Sequence, residues 1–456
     1  MKIKITILIL GFAIMMGSCD KMLNFEPGNE ILADQALQTT NDLDKLLNSC
    51  YDVMANTYYG AYQNLGELLS ANLSAPRINN DYNEVFNRAT IFFNGTVGGL
   101  YGEPYIAIFR ANTLLESFDY IEDLKQEDRQ RIEAEAKFIR AVAHFDLVNL
   151  FGQPYGYTSD NSHLGIVVRT SSSFDIPPRS TVADVYNQVI EDLNFAKDNL
   201  PEQNGIYPTK YAAEAMLARV YFQMNDFENA ANAANVVISE GPYMLDSLNA
   251  RWSSDISTEN VFTLIVLATE NRNNALISNY RSDNNEIPEL YASRSYVEDL
   301  YGSSIPTSDE RSQWFTKISP TSPNYYYNIG KFNSDYFNIP YLHLTEILLI
   351  HAESLAEMGS SLSTAVDDIN KIRDRAGVSL LNENSTVETI INAARVERAK
   401  ELIGEGRYVF DLKRRGALGE DITIREAPWN CNGMVLQFPI SENTSNFEMN
   451  PTGGCN

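Results

Sequence analysis

Pro208–Gly241 reads PTKYAAEAMLARVYFQMNDFENAANAANVVISEG, and this stretch decides the fold. Ala212, Ala213, Ala215 and Ala218 put small residues on one helix and let a neighbour approach closely. Tyr221 and Phe222 fill the space beyond them. Asn225–Asp226 forms a turn. A second helix then carries Phe227, Ala230, Ala234 and Val237 at three- and four-residue steps, the spacing of one buried face. The stretch therefore predicts two antiparallel helices with small-residue packing and an aromatic residue after the turn.

Such a pair is similar to a tetratricopeptide unit. A second pair is predicted over Pro340–Gly377, where Ala365, Ile369 and Ile372 mark the second helix and Gly377 ends it. A weaker pair covers Leu114–Leu150. Within it, Arg129–Leu150 shows Ile132, Ala136, Ile139, Ala143, Leu147 and Leu150 as an apolar stripe, stopped by Gly152 and Pro154. Thr181–Leu200 is another helix, closed by Pro201, and Asn41–Asp42 is expected to cap one running to about Ala55. The expected class is mostly α, a helical scaffold with long irregular insertions. Two stretches break the pattern, Thr57–Glu103 and Gly241–Asn338. Both mix aromatic residues with Asn, Asp and Gly, and unperiodic segments of this length carry function or lack order. Their aromatic richness argues against disorder.

The N-terminus is equally specific. Lys2 and Lys4 precede an apolar run from Ile5 to Met16, too short to span a bilayer. Met16-Gly17-Ser18-Cys19 follows, the order of a secretory leader with a cysteine at the cleavage junction. Residues 1–18 are expected to be a lipoprotein signal peptide, with Cys19 as the lipidated first residue of a domain covering 19–456. The alternative is an ordinary signal peptide with a chance cysteine. The 456-residue chain is 44% hydrophobic with a formal net charge of −25. That charge argues against nucleic acid and against electrostatic docking on anionic lipid. Four cysteines are too few for a disulfide scaffold. Cys431 and Cys455 flank a turn-rich C-terminal segment, so a bridge between them is compatible with an oxidising compartment; spacing alone does not decide it.

A search for catalytic signatures finds no GxSxG, HExxH or GxxxxGK[ST]. Gly404-Glu405-Gly406 reads as a helix-ending turn. His144, and His343 with His351 on another helix, read as structural. Asn79-Asn80-Asp81 and Asp283-Asn284-Asn285-Glu286 are oxygen-rich but lack the EF-hand order, and read as solvated turns. Arg395, Glu397, Arg398 and Glu401 read as ion pairs on a helix surface. Lys413, Arg414 and Arg415 suit a helix C-terminus. No catalytic residue, metal site or cofactor is expected. The aromatic residues of the irregular stretches are different, because helical spacing does not explain them. Rings interleaved with Asn and Asp suit the flat faces and hydroxyls of sugars, and suit peptides nearly as well.

Five ordered segments carry a resemblance: Ala134–Gly156, Pro208–Ile238, Asn338–Gly359 with Ala365–Val378, Val396–Leu418, and the tail Phe438–Pro451. With Cys19 at the start, the chain resembles the SusD/RagB family of outer-membrane nutrient-binding lipoproteins of the Bacteroidetes. The resemblance implies a single SusD-like domain, with an N-terminal part of about 20–240 and a C-terminal part of about 260–456. It implies an outer-membrane, lipid-anchored, surface-facing protein that is not an enzyme. Its partner would be a SusC-like TonB-dependent transporter, and its ligand an oligosaccharide, or alternatively a peptide or glycopeptide. The family shares no ligand motif. By position, the candidate contacts are Arg77, Asn80, Tyr82 and Phe93 in the first irregular stretch, and Tyr291, Trp314 and Tyr326 in the second. Trp314 is the first choice.

Overall fold

Two helices begin with a Thr N-cap and an acid three residues on, a reciprocal pairing that satisfies free N–H groups. Thr39 and Asp42 open α1 (Thr40–Tyr58), and Thr181 and Asp184 open a later helix. Asp42 is thus the third residue of its helix and not the cap that the sequence suggests. The structure is a computed structural model and describes residues 36–74, 79–266, 275–281, 288–318 and 325–455. The leader with Cys19, Arg77, and the Asp283–Glu286 cluster lie outside the described residues.

After α1 come α2 (Ala61–Leu69), strand β1 (Leu73–Ser74), α3 (Asn80–Phe86), α4 (Gly95–Glu116) and α5 (Gln126–Phe151). Then follow α6 (Val182–Asn199), α7 (Lys210–Gln223) and α8 (Phe227–Glu240). The segment from 241 to 343 holds β2 (Asn260–Leu264), α9 (Ala275–Tyr280), β3 (Tyr291–Ala292), α10 (Arg294–Tyr301), β4 (Phe315–Ile318), β5 (Tyr326–Ile329) and β6 (Ile339–His343). The chain continues through α11 (Leu344–Glu357), α12 (Leu362–Arg375), α13 (Val387–Glu401), α14 (Tyr408–Ala417) and a hairpin of β7 (Thr423–Ile424) with β8 (Ala427–Pro428).

The helices form one stacked succession. α1 packs on α4, α4 on α5, α5 on α6, α6 on α7, and α7 on α8; α8 then packs on α11, which carries α12 and α13. The two predicted pairs at 208–241 and 340–377 are therefore neighbours in space, with about a hundred residues looped out between them. Ala212, Ala213, Ala215 and Ala218 are fully buried, as close packing requires.

The irregular stretches are more ordered than the sequence suggests. Thr57–Glu103 holds α2, α3 and the start of α4, and Tyr58, Tyr59 and Tyr62 are core residues. Its strand β1 pairs antiparallel with β3, in the sheet order β1-β3-β5-β4, so the two stretches meet in one small sheet. Strands of two to five residues fall below what periodicity can detect. β2 pairs with β6 alone among the described residues. The Gly404–Gly406 turn is real, with φ of +79° and +73° at its glycines. A Cβ on Gly406 would sit 2.7 Å from Gln63 Cα, so this turn docks against α2 only as glycine.

One charge reading is corrected, and a second is borne out, since Arg414 and Arg415 stand in the last turn of α14. Glu397, Arg398 and Glu401 are buried, not on a helix surface. Arg414 is fully buried between Glu353 and Asp411 at 2.7 Å from each. Lys413 donates to the Met434 carbonyl, and burial pushes its ammonium down to about 7. The unforeseen burial of these groups has one cause. Helical spacing is the same whether water or a distant segment satisfies a charge, and here distant segments do. His343 is also not on a helix with His351; it ends β6 and accepts from the Glu346 N–H as the cap of α11. Cys431 and Cys455 are joined by a disulfide with Cα atoms 5.3 Å apart.

Candidate functional site

The small sheet collects several expected contacts, but not as a bare platform. Asn79 caps α3, which places Asn80 on the surface and turns Tyr82 inward. The Tyr82 hydroxyl accepts from Asn64 and from Asn279 of α9, each at 3.2 Å. Tyr291 and Tyr326 meet ring to ring, centroids 4.4 Å apart, with Tyr291 buried beneath a half-buried Tyr326. Phe93 is 69% exposed and leans on Phe92 in the loop before α4. Trp314 is corrected: it is 1% exposed, and its indole N–H already donates to Asn249 Oδ1 at 2.8 Å. A large ring in an aperiodic segment looks the same in sequence whether it packs inward or outward.

Arg311, just before β4, belongs to a largely buried ionic cluster. Arg311 bonds Asp309 at 2.8 Å, Glu397 at 2.6 Å and Glu401 at 3.2 Å. Arg251 joins Glu259 to Glu401, and Arg375 bonds the same two carboxylates at 2.6 and 2.7 Å. Burial works to raise the Glu401 pKa, but Arg375, Arg251, Arg311 and Lys331 outweigh it and hold the carboxyl at about 2. Glu67 goes the other way. Burial dominates its bonds from the Gly406 N–H and the Asn72 amide, and pushes it up to about 7. These groups are paired with one another, as structural charges are. Among the described residues no group of three or more His, Cys, Asp or Glu is placed to hold a metal ion.

A groove that sequence reading misses runs between α1, the 202–209 loop and β2. One lobe has a volume of 320 Å³ and a second, which shares Tyr207 and Phe262 with it, 220 Å³. Tyr51 and Tyr207 stand with ring centroids 5.3 Å apart, and Phe262 lies 6.4 Å from Tyr51. The Tyr51 hydroxyl points into the protein and that of Tyr207 to the surface residue Asn48. Tyr51 donates to Glu135 at 2.7 Å and Tyr207 to Asn48 Oδ1 at 2.8 Å. All three rings line the groove. Tyr243 closes the far end, its hydroxyl 3.4 Å from that of Thr209. The only prior signal was composition, because Tyr51 sits in a helix and Phe262 in a buried strand.

Comparison with known proteins places this architecture. The sequence pattern of the SusD family matches residues 194–443, more than half of the chain. The chain belongs to the SusD family. A related SusD-like pattern, described as starch-binding and associating with the outer membrane, matches residues 23–222. A SusD-like protein of Formosa agariphila is 24% identical over 90% of this chain and 91% of its own length. A SusD superfamily structure from Bacteroides thetaiotaomicron superposes with a TM-score of 0.78 at 24% identity, covering 91% of this chain and all of that one. A structure from Bacteroides vulgatus, described as a putative sugar binding protein, gives 0.77 at 23% identity, covering 91% of this chain and 99% of its own. SusD-family members are binding proteins, not enzymes, and are associated with the outer membrane. No helix among the described residues is long and apolar enough to cross a membrane.

Proposed function

We propose that this SusD-family chain is a surface lipoprotein, anchored through Cys19, that captures an oligosaccharide and delivers it to a SusC-like TonB-dependent transporter. The observation that carries the capture step is the aromatic groove, lined by Tyr51, Tyr207 and Phe262, whose two tyrosine hydroxyls are already bonded to Glu135 and Asn48. Ring faces pack on the C–H faces of sugars, and neighbouring amides and hydroxyls bond their oxygens. The names of the similar proteins support a sugar ligand, and the leader supports the anchor. Capture followed by release calls for modest affinity; micromolar binding is roughly −8 kcal/mol. Calorimetry of residues 20–456 against plant, host and microbial oligosaccharides tests capture, and co-purification from outer membranes tests the transporter. Saturable heat with one sugar class supports the reading.

A peptide ligand is the second reading, and one feature favours it. β2 has one strand partner among the described residues, and the groove runs along it, so an extended peptide could add to its edge. Heat with peptide pools and none with sugars would put this reading first.

A further inference from the structure

The arginines of the ionic cluster each meet a carboxylate; Arg88 and Arg425 do not. Arg88 follows α3, is 5% exposed, and donates through Nη2 to the Ile424 carbonyl. Arg425 comes directly after that carbonyl. It donates through Nη2 to the Leu68 carbonyl at 3.1 Å and lies over the Phe86 ring at 4.2 Å. Among the described residues neither has an acidic partner. Burial pushes both guanidiniums down, Arg425 to about 10, and the charge of Arg88 adds to the effect on Arg425. On each residue Nε is enclosed and unbonded, while Nη1 bonds nothing in the protein and is not enclosed. The backbone is unusual at the same place. Ile424 pairs with Ala427, which leaves Arg425-Glu426 as a two-residue hairpin turn of the kind usually made by Asn-Gly. Arg88, Arg425 and Glu426 have φ of +56°, +46° and +67°. The other non-glycine residues with positive φ among those described are Asn161, Asn225 and Ser361, which have short polar side chains. Long side chains held in this region carry a backbone strain that points to a function for them.

We propose that Arg88 and Arg425 together bind one oxyanion group, a carboxylate or a sulfate, through their open Nη1 groups. The carbonyls of Ile424 and Leu68 fix the two guanidiniums in place but neutralise neither. Two like charges brought together and partly buried destabilise each other, and an anion at the pair turns that repulsion into attraction. Guanidinium N–H groups match the oxygens of carboxylate and sulfate in geometry as well as charge. In a chain of net charge −25 with 60 acidic residues, a pair of arginines left without an acid is a specific arrangement and not a consequence of composition. An acidic group on a captured chain and a free ion share this chemistry.

The test uses residues 20–456 with selenate, acetate and hexagalacturonic acid as probes, at constant ionic strength, on the wild type, Arg88→Gln and Arg425→Gln. Arg425→Gln is the discriminating variant. It removes one of two mutually repelling charges, so without added oxyanion it should melt at or above the wild-type temperature. An arginine that merely anchors the hairpin to Phe86 and Leu68 predicts a lower one. Selenate at tenfold its dissociation constant should raise the wild-type melting temperature by about 1–2 °C and leave both variants unmoved. A general salt effect would move all three alike. In crystals, the anomalous signal of selenate should lie within hydrogen-bond reach of both guanidiniums. Calorimetry separates the two sources. Hexagalacturonic acid binding tenfold or more tighter than acetate, with the difference lost in Arg425→Gln, assigns the site to an acidic group on a captured chain. Equal binding of the two, lost in the variant, assigns it to a free ion. A lower melting temperature for Arg425→Gln, an equal selenate shift in all three proteins, or a selenate signal absent from the pair overturns the proposal.

Discussion

Replacing Glu401 by Gln removes one charge from the centre of the buried cluster with almost no change in shape. In the folded protein this carboxyl is held at about 2, against 4.5 when exposed. The difference of about 2.5 pKa units is worth about 3 kcal/mol. Losing the charge does not strand the arginines: Arg251 and Arg375 keep Glu259, and Arg311 keeps Asp309 and Glu397. The cost should therefore sit near the lower end of the roughly 3–5 kcal/mol typical of breaking a buried pair. For a chain of this size that is a fall in melting temperature of about 3–4 °C. The pH dependence is the sharper test. A depressed carboxyl stabilises the fold above its unfolded pKa and loses that contribution as pH falls through the folded value. The gap between wild type and Glu401→Gln should be full at pH 7, begin to close below 4.5, and shrink to about 1 kcal/mol by pH 3. Urea denaturation at pH 7, 5 and 3 reads it. A gap below about 1 kcal/mol at pH 7, or one unchanged at pH 3, would refute the reasoning.

Glu67→Gln should behave oppositely. The raised carboxyl contributes stability that is full below pH 4.5 and lost as pH rises through about 7. Gln can still accept from the Gly406 N–H, and Asn72, whose Oδ1 has no partner, can turn to accept from it. The variant should match wild type at pH 4 and exceed it by about 3 kcal/mol at pH 8.5. Urea midpoints at the two pH values check this, and equal midpoints at pH 8.5 would count against it. The Cys431–Cys455 bridge closes a 24-residue separation, so Cys455→Ser should cost about 3 kcal/mol in the chain-entropy estimate. Thermal melting with and without the bridge measures that, and proteolysis should start in the tail.

The scaffold was legible because its evidence is local. Ala212 to Val237 and Ile132 to Leu150 state their buried faces within one or two helices, and caps and glycines mark their ends. What stayed hidden depends on partners far along the chain. Glu401 looks like any exposed helix carboxylate until Arg251, Arg311 and Arg375 arrive from three other elements. β1 is two residues long and means nothing until β3 pairs with it. The groove is the extreme case. Tyr51, Tyr207 and Phe262 come from a helix, a loop and a strand, and each has a commonplace local reading.

The ionic cluster and the groove are not independent features. Glu259, gripped by Arg251 and Arg375, immediately precedes Asn260, and its backbone carbonyl accepts from the Leu344 N–H at the start of α11. One wall of the groove is thereby tied to α11 and α12. The opposite wall is tied as well, through Tyr51 and Asn204 to Glu135 of α5, which also bonds Arg131. Groove walls fixed by buried charges need little ordering when a ligand arrives, so a few ring contacts and hydrogen bonds can suffice for measurable affinity. A carrier that must also let go benefits from that arrangement, since affinity resting on few contacts disappears when a few are broken. Glu401→Gln therefore has a second expected effect beyond stability. With Arg251 and Arg375 freed on one side, β2 should show faster amide exchange than in wild type under conditions where both are folded, and unchanged exchange there would separate the cluster from the groove.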